Sequence, residues 1–428
     1  MQIPIERFTL PNGLRVVLSE DHASPVVAVN LWYNVGSRNE RPGRTGFAHL
    51  FEHMMFQGSQ HVPDTEHIAH IERVGGAMNG STWLDRTNYY ETVPAHQLEL
   101  ALWLEADRMG FLLPAMTQEK LDNQRSVVQN ERRQRVDNQP YGDWDERLQA
   151  LVFPPEHPYH HSVIGSMEDL DAATLDDVAA FFRTYYAPNN AVLTVCGSFQ
   201  PAEARRLVER YFGEFPAGPP VPSLPGTPQV PERLGGEVRV EVEAEVALPR
   251  VYLAFRIPPY GDERFYAADI AAHLLAAGKA SRLYRRLVRE RQVAQDVVAY
   301  AFPIVTGASM LVLWATVRPG VAVQAVDDAL GEELRRLGTE GPTPLEMERA
   351  RTEIEAHHVF ALQQVGQRAD HLSLFTTFFD EPERINTELD RYRAVRGDDV
   401  RAFAAHFLTP ENRVVLTYLP RAERAEAA

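Results

Sequence analysis

The sequence predicts an α+β protein made of two duplicated domains, each with a mainly antiparallel β-sheet covered by helices. The main observation is an internal repeat. The segments DDVAAFFRTYYAPNNAVLT at 176–194 and DDVRAFAAHFLTPENRVVLT at 398–417 both read as an amphipathic helix that begins at Asp, a turn with Pro and Asn, and an apolar strand. Because the second segment begins about half a chain length after the first, the two indicate a duplication.

A second observation divides the chain near its middle. From Phe215 to Gly236 prolines recur every few residues and no apolar period survives, which is typical of a linker. We therefore predict an N-terminal α+β domain at residues 1–215, a Pro-rich linker at 216–236 and a homologous C-terminal α+β domain at 237–428.

Short apolar runs near the start of each half predict strands, and longer periodic segments predict helices. The first half opens with a Pro-Asn-Gly turn between two strand-like runs at 8–19, followed by a β-rich run at 25–35. The second half opens with alternating charged and Val positions at 237–243 and a strand at 251–257, before a helix around 264–275. Long helices are predicted at 97–109, 118–136 and 343–364.

Composition and charge exclude several classes of protein. The chain has 43 Lys and Arg against 59 Asp and Glu, and its net charge of -16 argues against a nucleic-acid partner. No apolar run approaches the ~18–20 residues that span a bilayer. The first residues lack the basic and apolar regions of a secretory signal, so we expect a cytoplasmic protein. The single cysteine, Cys196, excludes a Cys-based zinc cluster, so any metal site must consist of His and carboxylate side chains.

The segment TGFAHLFEHMMFQGS at 45–59 holds the most informative residues of the chain. Positions i and i+4 of a helix lie on one face, so His49 and His53 could bind one metal ion together. Glu52 lies near the same face, where its carboxylate could accept a proton from a water that the metal activates. The order H-x-x-E-H is that of the inverted zincin motif.

A simpler interpretation is that these three residues are solvated side chains on an exposed helix. The flanking residues argue against it, because they make the helix largely apolar: Phe47, Leu50, Phe51, Met54 and Met55. Buried His and Glu side chains are costly without a compensating partner. A metal ion would supply that partner.

A catalytic zinc site needs a third protein ligand and one open position. The candidate is Glu131, which follows Val127 and Val128 by about one turn in the predicted helix at 118–136. From the residues alone, a surface carboxylate in a charge-rich helix is the favoured interpretation of Glu131.

With these motifs the chain resembles the pitrilysin and insulinase type of inverted zincins, and within it the short bacterial branch that is similar to mitochondrial processing peptidase subunits. The resemblance covers essentially the whole chain, including the duplicated domain and the Pro-rich linker. It rests on the segments LPNGLRVVL, GFAHLFEHMMFQGS, GGAMNGSTWLDRTNYYETVP and NQRSVVQNERRQ.

The resemblance implies that His49, His53 and Glu131 bind one Zn²⁺ per chain and that Glu52 is the general base. The interval from His53 to Glu131 is in keeping with the spacing of the family. The resemblance also implies a zinc-binding N-terminal domain and a C-terminal domain without the metal motif, which face each other as a clamshell around an extended peptide.

Two departures from the family pattern bear on the site and on partners. Many members carry a Glu two turns before the zinc-binding Glu, whereas this chain has Gln124, which can support the site only through a neutral hydrogen bond. Members that act alone carry an Arg and a Tyr seven residues apart in the C-terminal half, and the aligned positions here are Val288 and Gln295. The chain therefore resembles the metal-bearing subunit of a heterodimer whose sister subunit supplies that pair. A homodimer or monomer that manages without the pair is the alternative.

Asn79, Gly80, Ser81 and Thr82 look like a short edge strand with small side chains, to which an extended peptide could add as a further strand. These residues fit an ordinary sheet edge equally well, and the resemblance favours peptide binding. The histidines at 157, 160 and 161 lie in a Pro-rich loop and read as surface residues rather than as a second metal site.

Together these features predict a zinc-dependent endopeptidase that hydrolyses extended, unfolded peptides. Two other classes stay open: a non-catalytic assembly subunit of the same fold, and a metal-dependent hydrolase of a different substrate. The first tends to lose the metal motif, which this chain keeps, and the edge-strand segment argues against the second.

Overall fold

A computed structural model describes residues 2–421, and two β-sheets organise them. The strands of the first half are β1 (Glu6–Thr9), β2 (Arg15–Glu20), β3 (Val26–Tyr33), β4 (Ala77–Thr82), β5 (Thr87–Pro94) and β6 (Ala191–Gly197). Its helices are α1 (Phe47–Met54), α2 (Glu66–Arg73), α3 (Leu98–Phe111), α4 (Gln118–Arg132), α5 (Trp144–Val152), α6 (Met167–Asp171), α7 (Leu175–Tyr185) and α8 (Pro201–Phe212). A π-helical segment, Arg133–Asp137, continues α4 over the rest of the helix predicted at 118–136.

The second half repeats this alternation of strands and helices. Its strands are β7 (Val238–Ala244), β8 (Arg250–Ile257), β9 (Ala294–Ala301), β10 (Ser309–Val317) and β11 (Arg413–Pro420). Its helices are α9 (Glu263–Ala276), α10 (Val323–Glu340), α11 (Pro344–Gln363), α12 (Val365–Phe379), α13 (Glu388–Ala394) and α14 (Gly397–Phe407). Residues 216–236 between the halves hold neither a helix nor a strand.

The two sheets have the same topology. The first has the order β1-β2-β6-β3-β5-β4 and the second the order β7-β11-β8-β10-β9, so β1 is the extra strand of the first sheet. Each sheet has one parallel pair, β2 with β6 and β7 with β11, and is otherwise antiparallel. The predicted α+β architecture of two duplicated, mainly antiparallel sheets with helices is confirmed.

The duplication extends to individual hydrogen bonds. Buried Asn190, just before β6, donates from Nδ2 to the carbonyl oxygens of Tyr185 at 2.8 Å and of Asn34 at 3.4 Å. Buried Asn412, just before β11, donates in the same way to Phe407 at 2.9 Å and Arg256 at 2.7 Å. In each half one amide therefore joins the end of a helix to the sheet. The number of residues from Asn190 to Asn412 is the same as that from Tyr185 to Phe407 and from Asn34 to Arg256.

The compact units of the chain do not follow sequence order. One unit comprises the described chain up to Arg132, with His161–Pro225 and His357–Glu388, and the other comprises Arg133–His160, Gly226–Ala356 and the described chain from Leu389. Each sheet thus receives a helix from the other half of the sequence. In the first unit α12 packs on β3 and β6, and in the second unit α5 packs on β8 and β11, where the Trp144 ring stacks on Tyr252 at 5.4 Å.

The first unit holds its core between the sheet and the helices α1, α3, α4, α7 and α8. The apolar side of α1 is fully part of this core, with Leu50 and Met54 at 0 % exposure. A helix with one buried stripe leaves its remaining side free for polar residues, which fixes the direction of the motif side chains. Within residues 2–421 no helix combines the length and the apolar character needed to cross a membrane.

We expect Asn190→Ala and Asn412→Ala each to lower the free energy of unfolding by about 1–3 kcal/mol, because each leaves buried carbonyl oxygens without their donor. Urea unfolding followed by circular dichroism measures this loss. Asn138→Ala removes an exposed amide and is the matched control. An equal loss in the Asn138 variant would contradict the assignment of the two buried amides as structural anchors.

Candidate metal centre

The helix α1 presents the three polar residues of the motif on its side away from the core. The rings of His49 and His53 lie next to each other, with centroids 4.8 Å apart and planes at 82°. Both side chains are only slightly exposed, at 12 % and 22 %. The i, i+4 spacing therefore brings two imidazoles together as the sequence predicts.

Glu131 near the end of α4 faces both histidines. Its Oε2 atom lies 3.3 Å from His53 Nε2 and 3.7 Å from His49 Nε2. The ligand atoms of the three residues all lie within 4.8 Å of one another. Although α4 is rich in charged residues, Glu131 is thus the carboxylate that the packing of α1 against α4 brings to the histidines.

This donor set fits a zinc ion. Tetrahedral zinc with ligand bonds of about 2.0–2.1 Å places neighbouring donor atoms roughly 3.4 Å apart, close to the spacing between Glu131 and each histidine. Two imidazoles and one carboxylate are also a ligand set of catalytic zinc sites, which keep a fourth position open. Among the described residues this is the one cluster of three or more His, Cys, Asp or Glu side chains with such a geometry.

Glu52 lies beside this cluster, between α1 and β4. Burial raises the pKa of the Glu52 carboxyl, while a hydrogen bond from the Thr82 side chain and the neighbouring His53 act to lower it. A Cβ atom at Gly80 would stand 3.2 Å from Glu52 Cγ, so the backbone of β4 approaches the carboxylate closely because residue 80 has no side chain.

Gln124, predicted as a supporting residue, is buried on α4 and hydrogen-bonds to the side chain of His53. It lies two turns before Glu131 on the same helix. A neutral amide at this position can orient an imidazole without adding a further negative charge to the site.

The segment Asn79–Thr82 forms most of β4, which is the edge strand of the first sheet. The N–H of Trp83 donates to the Arg86 carbonyl and closes the hairpin with β5. Hydrogen-bonded and non-hydrogen-bonded pairs alternate along an antiparallel ladder, so residues 79 and 81 bond to β5 and residues 78, 80 and 82 point their backbone groups to the open edge. In this structure Asn79 Oδ1 accepts the N–H of Gly80 at 2.9 Å.

Of the three histidines in the Pro-rich loop, His157 is buried and not at the surface as predicted, whereas His160 and His161 are partly exposed. His157 is 3 % exposed; its Nδ1 accepts the N–H of Tyr159 and its Nε2 donates to the Pro228 carbonyl oxygen. His160 bonds to the Phe153 carbonyl oxygen. His161 bonds to Glu40, a buried residue that sequence reasoning missed altogether. The partners of His157 and His161 lie far away along the chain, so a local pattern gave no signal for them.

The second half has a helix in the place of α1, but its described residues hold no second cluster of metal-binding side chains. The helix α1 follows β3, which lies between β6 and β5 in the first sheet. In the same way, α9 follows β8, which lies between β11 and β10 in the second sheet. Where α1 carries HLFEH, α9 carries a single histidine, His273, followed by Leu274 and Leu275, so it has no H-x-x-E-H motif. The H-x-x-E-H motif occurs in the first half of the sequence alone.

A duplicated α+β fold with an H-x-x-E-H helix and a distant Glu defines the class of inverted-zincin metallopeptidases. Residues 15–153 match the family model described as Insulinase (Peptidase family M16), and residues 172–354 match the model described as Peptidase M16 inactive domain. The chain belongs to peptidase family M16.

Relatives of known name agree with this membership. The chain is 30% identical to the zinc protease PqqE of Helicobacter pylori over 86% of this chain and 83% of that protein. It is 27% identical to an uncharacterized zinc protease of Streptomyces coelicolor over 94% of this chain and 87% of that one. The crystal structure of a protease from Helicobacter pylori superposes with a TM-score of 0.91 at 25% identity, covering 98% of this chain and 100% of that one.

We expect Glu131→Gln to lower the affinity for Zn²⁺ by more than about 100-fold, because the amide removes the charged oxygen that faces both histidines. Competition with a chromophoric chelator measures the dissociation constant. Glu119→Gln removes an exposed carboxylate from the same helix and should leave the affinity unchanged. Wild-type affinity in the Glu131 variant would remove this residue from the ligand set.

Proposed function

We propose that the chain is a zinc-dependent endopeptidase that hydrolyses extended, unfolded peptides, with one Zn²⁺ held by His49, His53 and Glu131. The observation that carries the proposal is the position of the Glu52 carboxylate. It adjoins the cluster of three metal-binding side chains on one side and the open edge strand β4 on the other. A base, three metal-binding side chains and an open strand edge for a peptide backbone therefore lie within a small region of the first unit.

A bound zinc ion supplies Lewis acidity, which polarises a carbonyl group and lowers the pKa of water. Glu52 accepts the proton of the attacking water and then passes it to the leaving amine. Its raised pKa suits the first step, because a carboxylate with a pKa nearer neutrality is a stronger proton acceptor. Thr82 holds the carboxylate through its hydrogen bond and so fixes the direction of proton transfer.

The peptide adds to the first sheet as a strand beside β4. The peptide backbone pairs with the outward-facing backbone groups of Met78, Gly80 and Thr82. A carbonyl oxygen of the peptide accepts the N–H of Gly80 in place of Asn79 Oδ1, which accepts it in this structure. Because Gly80 lies against Glu52, this register places a peptide bond of the substrate next to the base. Main-chain pairing of this type tolerates many substrate sequences.

A sister subunit completes the enzyme. At the positions where the family has its Arg and Tyr, Val288 is buried in the core of the second unit and Gln295 is exposed on β9. Neither side chain can replace a cation or a phenol. Arg289 and Tyr300, the nearest residues of the right type, lie in other surroundings: Arg289 lies over the Tyr284 ring, and Tyr300 packs on Phe302 and Trp314.

In the enzyme reconstituted with its sister subunit, Glu52→Gln should reduce cleavage of a pool of unstructured peptides by at least about 100-fold, because it removes the proton acceptor and leaves the metal ligands in place. Mass spectrometry of the products measures the rate, and zinc content measured on the same samples should stay at the wild-type level. Retained activity would contradict the proposed role of Glu52. The wild-type chain should be inactive alone. Robust cleavage without a second protein would contradict the proposal that a sister subunit completes the enzyme.

Thr82→Val should lower kcat by about tenfold or more, because one hydrogen bond to a charged group contributes about 1.5–3 kcal/mol. Thr82→Ser keeps the hydroxyl and is the matched control, since neither change alters the backbone groups of β4. Steady-state kinetics with the reconstituted enzyme compares the two variants. If both lose activity to the same extent, the hydroxyl does not act on Glu52.

A further inference from the structure

The chain segment at 161–173, here called the bridging segment, contacts both helices that carry the candidate metal ligands. We propose that His161 is a positioning residue of the metal centre: through the buried carboxylate of Glu40 it fixes where α1 begins, and thereby where His49 and His53 stand relative to Glu131. The inference rests on the proposed zinc site and adds two residues to it that no motif contains.

The start of α1 lacks a capping side chain of its own, because its N-cap residue is Gly46. Glu40, which precedes the helix in the chain, takes over this function. Its carboxylate accepts the N–H of Gly46 at 2.9 Å and that of Ala48 at 2.7 Å, and its side chain is 0 % exposed. A negative charge at a helix N-terminus satisfies the free N–H groups and interacts favourably with the helix dipole.

A buried carboxylate is costly unless all of its partners are present. Burial raises the pKa of Glu40, and its bonds with the backbone of Ala48 and Gly46 oppose that rise. The side-chain partner is His161, whose Nε2 lies 3.0 Å from Glu40 Oε2. Because Oε2 also accepts the N–H of Gly46, His161 and the first turn of α1 meet at one oxygen atom.

Further contacts hold the bridging segment to the start of α1. The N–H and the hydroxyl of Thr45 donate to Asp169 Oδ2 at 2.8 and 2.6 Å, and the N–H of Ser166 donates to Thr45 Oγ1. Gly165 packs directly on Gly46, since a Cβ atom at residue 165 would stand 2.2 Å from the Gly46 nitrogen. The backbones of the bridging segment and of the start of α1 are therefore in direct contact, with no room for a side chain between them.

The same segment is tied to α4, which carries Glu131. Arg132, the next residue after Glu131, donates from Nη1 to the Gly165 carbonyl at 2.8 Å. Arg125, two turns earlier, donates to the carbonyls of Leu170 at 2.8 Å and Ala173 at 2.6 Å. Gly165 therefore touches α1 on one side and the residue beside Glu131 on the other, so the segment acts as a spacer between the two ligand-bearing helices.

The experiment compares His161→Ala, His161→Gln and His160→Ala in the full-length chain. Zn²⁺ affinity is measured by chelator competition, the coordination geometry by the visible spectrum of the Co²⁺-substituted protein, and the folded state by thermal unfolding. His161→Ala should bind Zn²⁺ about tenfold more weakly and change the Co²⁺ spectrum, as expected when an outer partner of a metal site is removed. His161→Gln, whose amide can still donate to Glu40, should restore most of both.

His160→Ala is the matched control, because His160 lies in the same loop and bonds to the Phe153 carbonyl instead of Glu40. It should lower stability without changing the affinity or the spectrum. Wild-type affinity and spectrum in His161→Ala would overturn the proposal. If His161→Ala does not fold, Arg132→Met tests the other tether of the segment, and wild-type metal binding in that variant would overturn the proposal as well.

These outcomes are separable from those that test the metal centre itself. If Glu131→Gln retains Zn²⁺, the ligand assignment fails, whatever His161 does. If Glu131→Gln loses Zn²⁺ and His161→Ala does not, only the positioning role fails. A chain that binds Zn²⁺ normally but cleaves no peptide even with a sister subunit leaves the positioning role intact and removes the proposed activity.

Discussion

The packing of α1 against α4 is the interaction on which the candidate site depends. It brings Glu131 to within 3.3 Å of His53, although the two residues lie on separate helices far apart in the chain. Leu50 and Met54 pack the apolar side of α1 into the core, and the carboxylate of Glu40 accepts backbone N–H groups at the N-terminus of the helix. A helix of eight residues has little stability of its own, so these outside contacts decide where its polar side chains stand.

A second set of buried ionisable residues lies behind the strand that borders the site. Arg108 on α3 pairs with Glu105 and places its guanidinium 4.5 Å from the centre of the Tyr89 ring on β5. Burial raises the pKa of the nearby Glu91 carboxyl, and the adjacent Glu105 adds to that rise. Tyr89 in turn packs on Gly80, the residue that lies against Glu52. The core beside β5 therefore contains the buried ion pair of Arg108 and Glu105, where an unpaired charge would be costly.

The two halves share one fold, but only the first half has the residues of the candidate metal site. The buried amides of Asn190 and Asn412 make the same two bonds in each half, so the connection between helix and sheet is the same in both. The helices α1 and α9 differ instead in the residues at their C-terminal ends. Because α9 lacks the H-x-x-E-H pattern, it has neither the base nor the pair of histidines of α1, yet it remains a largely apolar helix buried in its core. Stability and chemistry thus depend on different residues of the same motif.

The sequence by itself determined the two-part α+β architecture, the shared face of His49 and His53, and the strand-like character of Asn79–Thr82, because each of these is recorded in a repeat or in the local periodicity of a helix or strand. It left Glu131 undecided among the carboxylates of a charge-rich helix, since an exposed and a site-facing Glu look alike in sequence. Only the tertiary structure decided that Glu131 faces the histidines, that α12 and α5 pack on the sheet of the opposite half, and that Glu40 and His161 meet at the start of α1. Partners so distant along the chain leave no periodic signal, because the order of strands in the sheet and the packing of helices across it determine which distant residues meet.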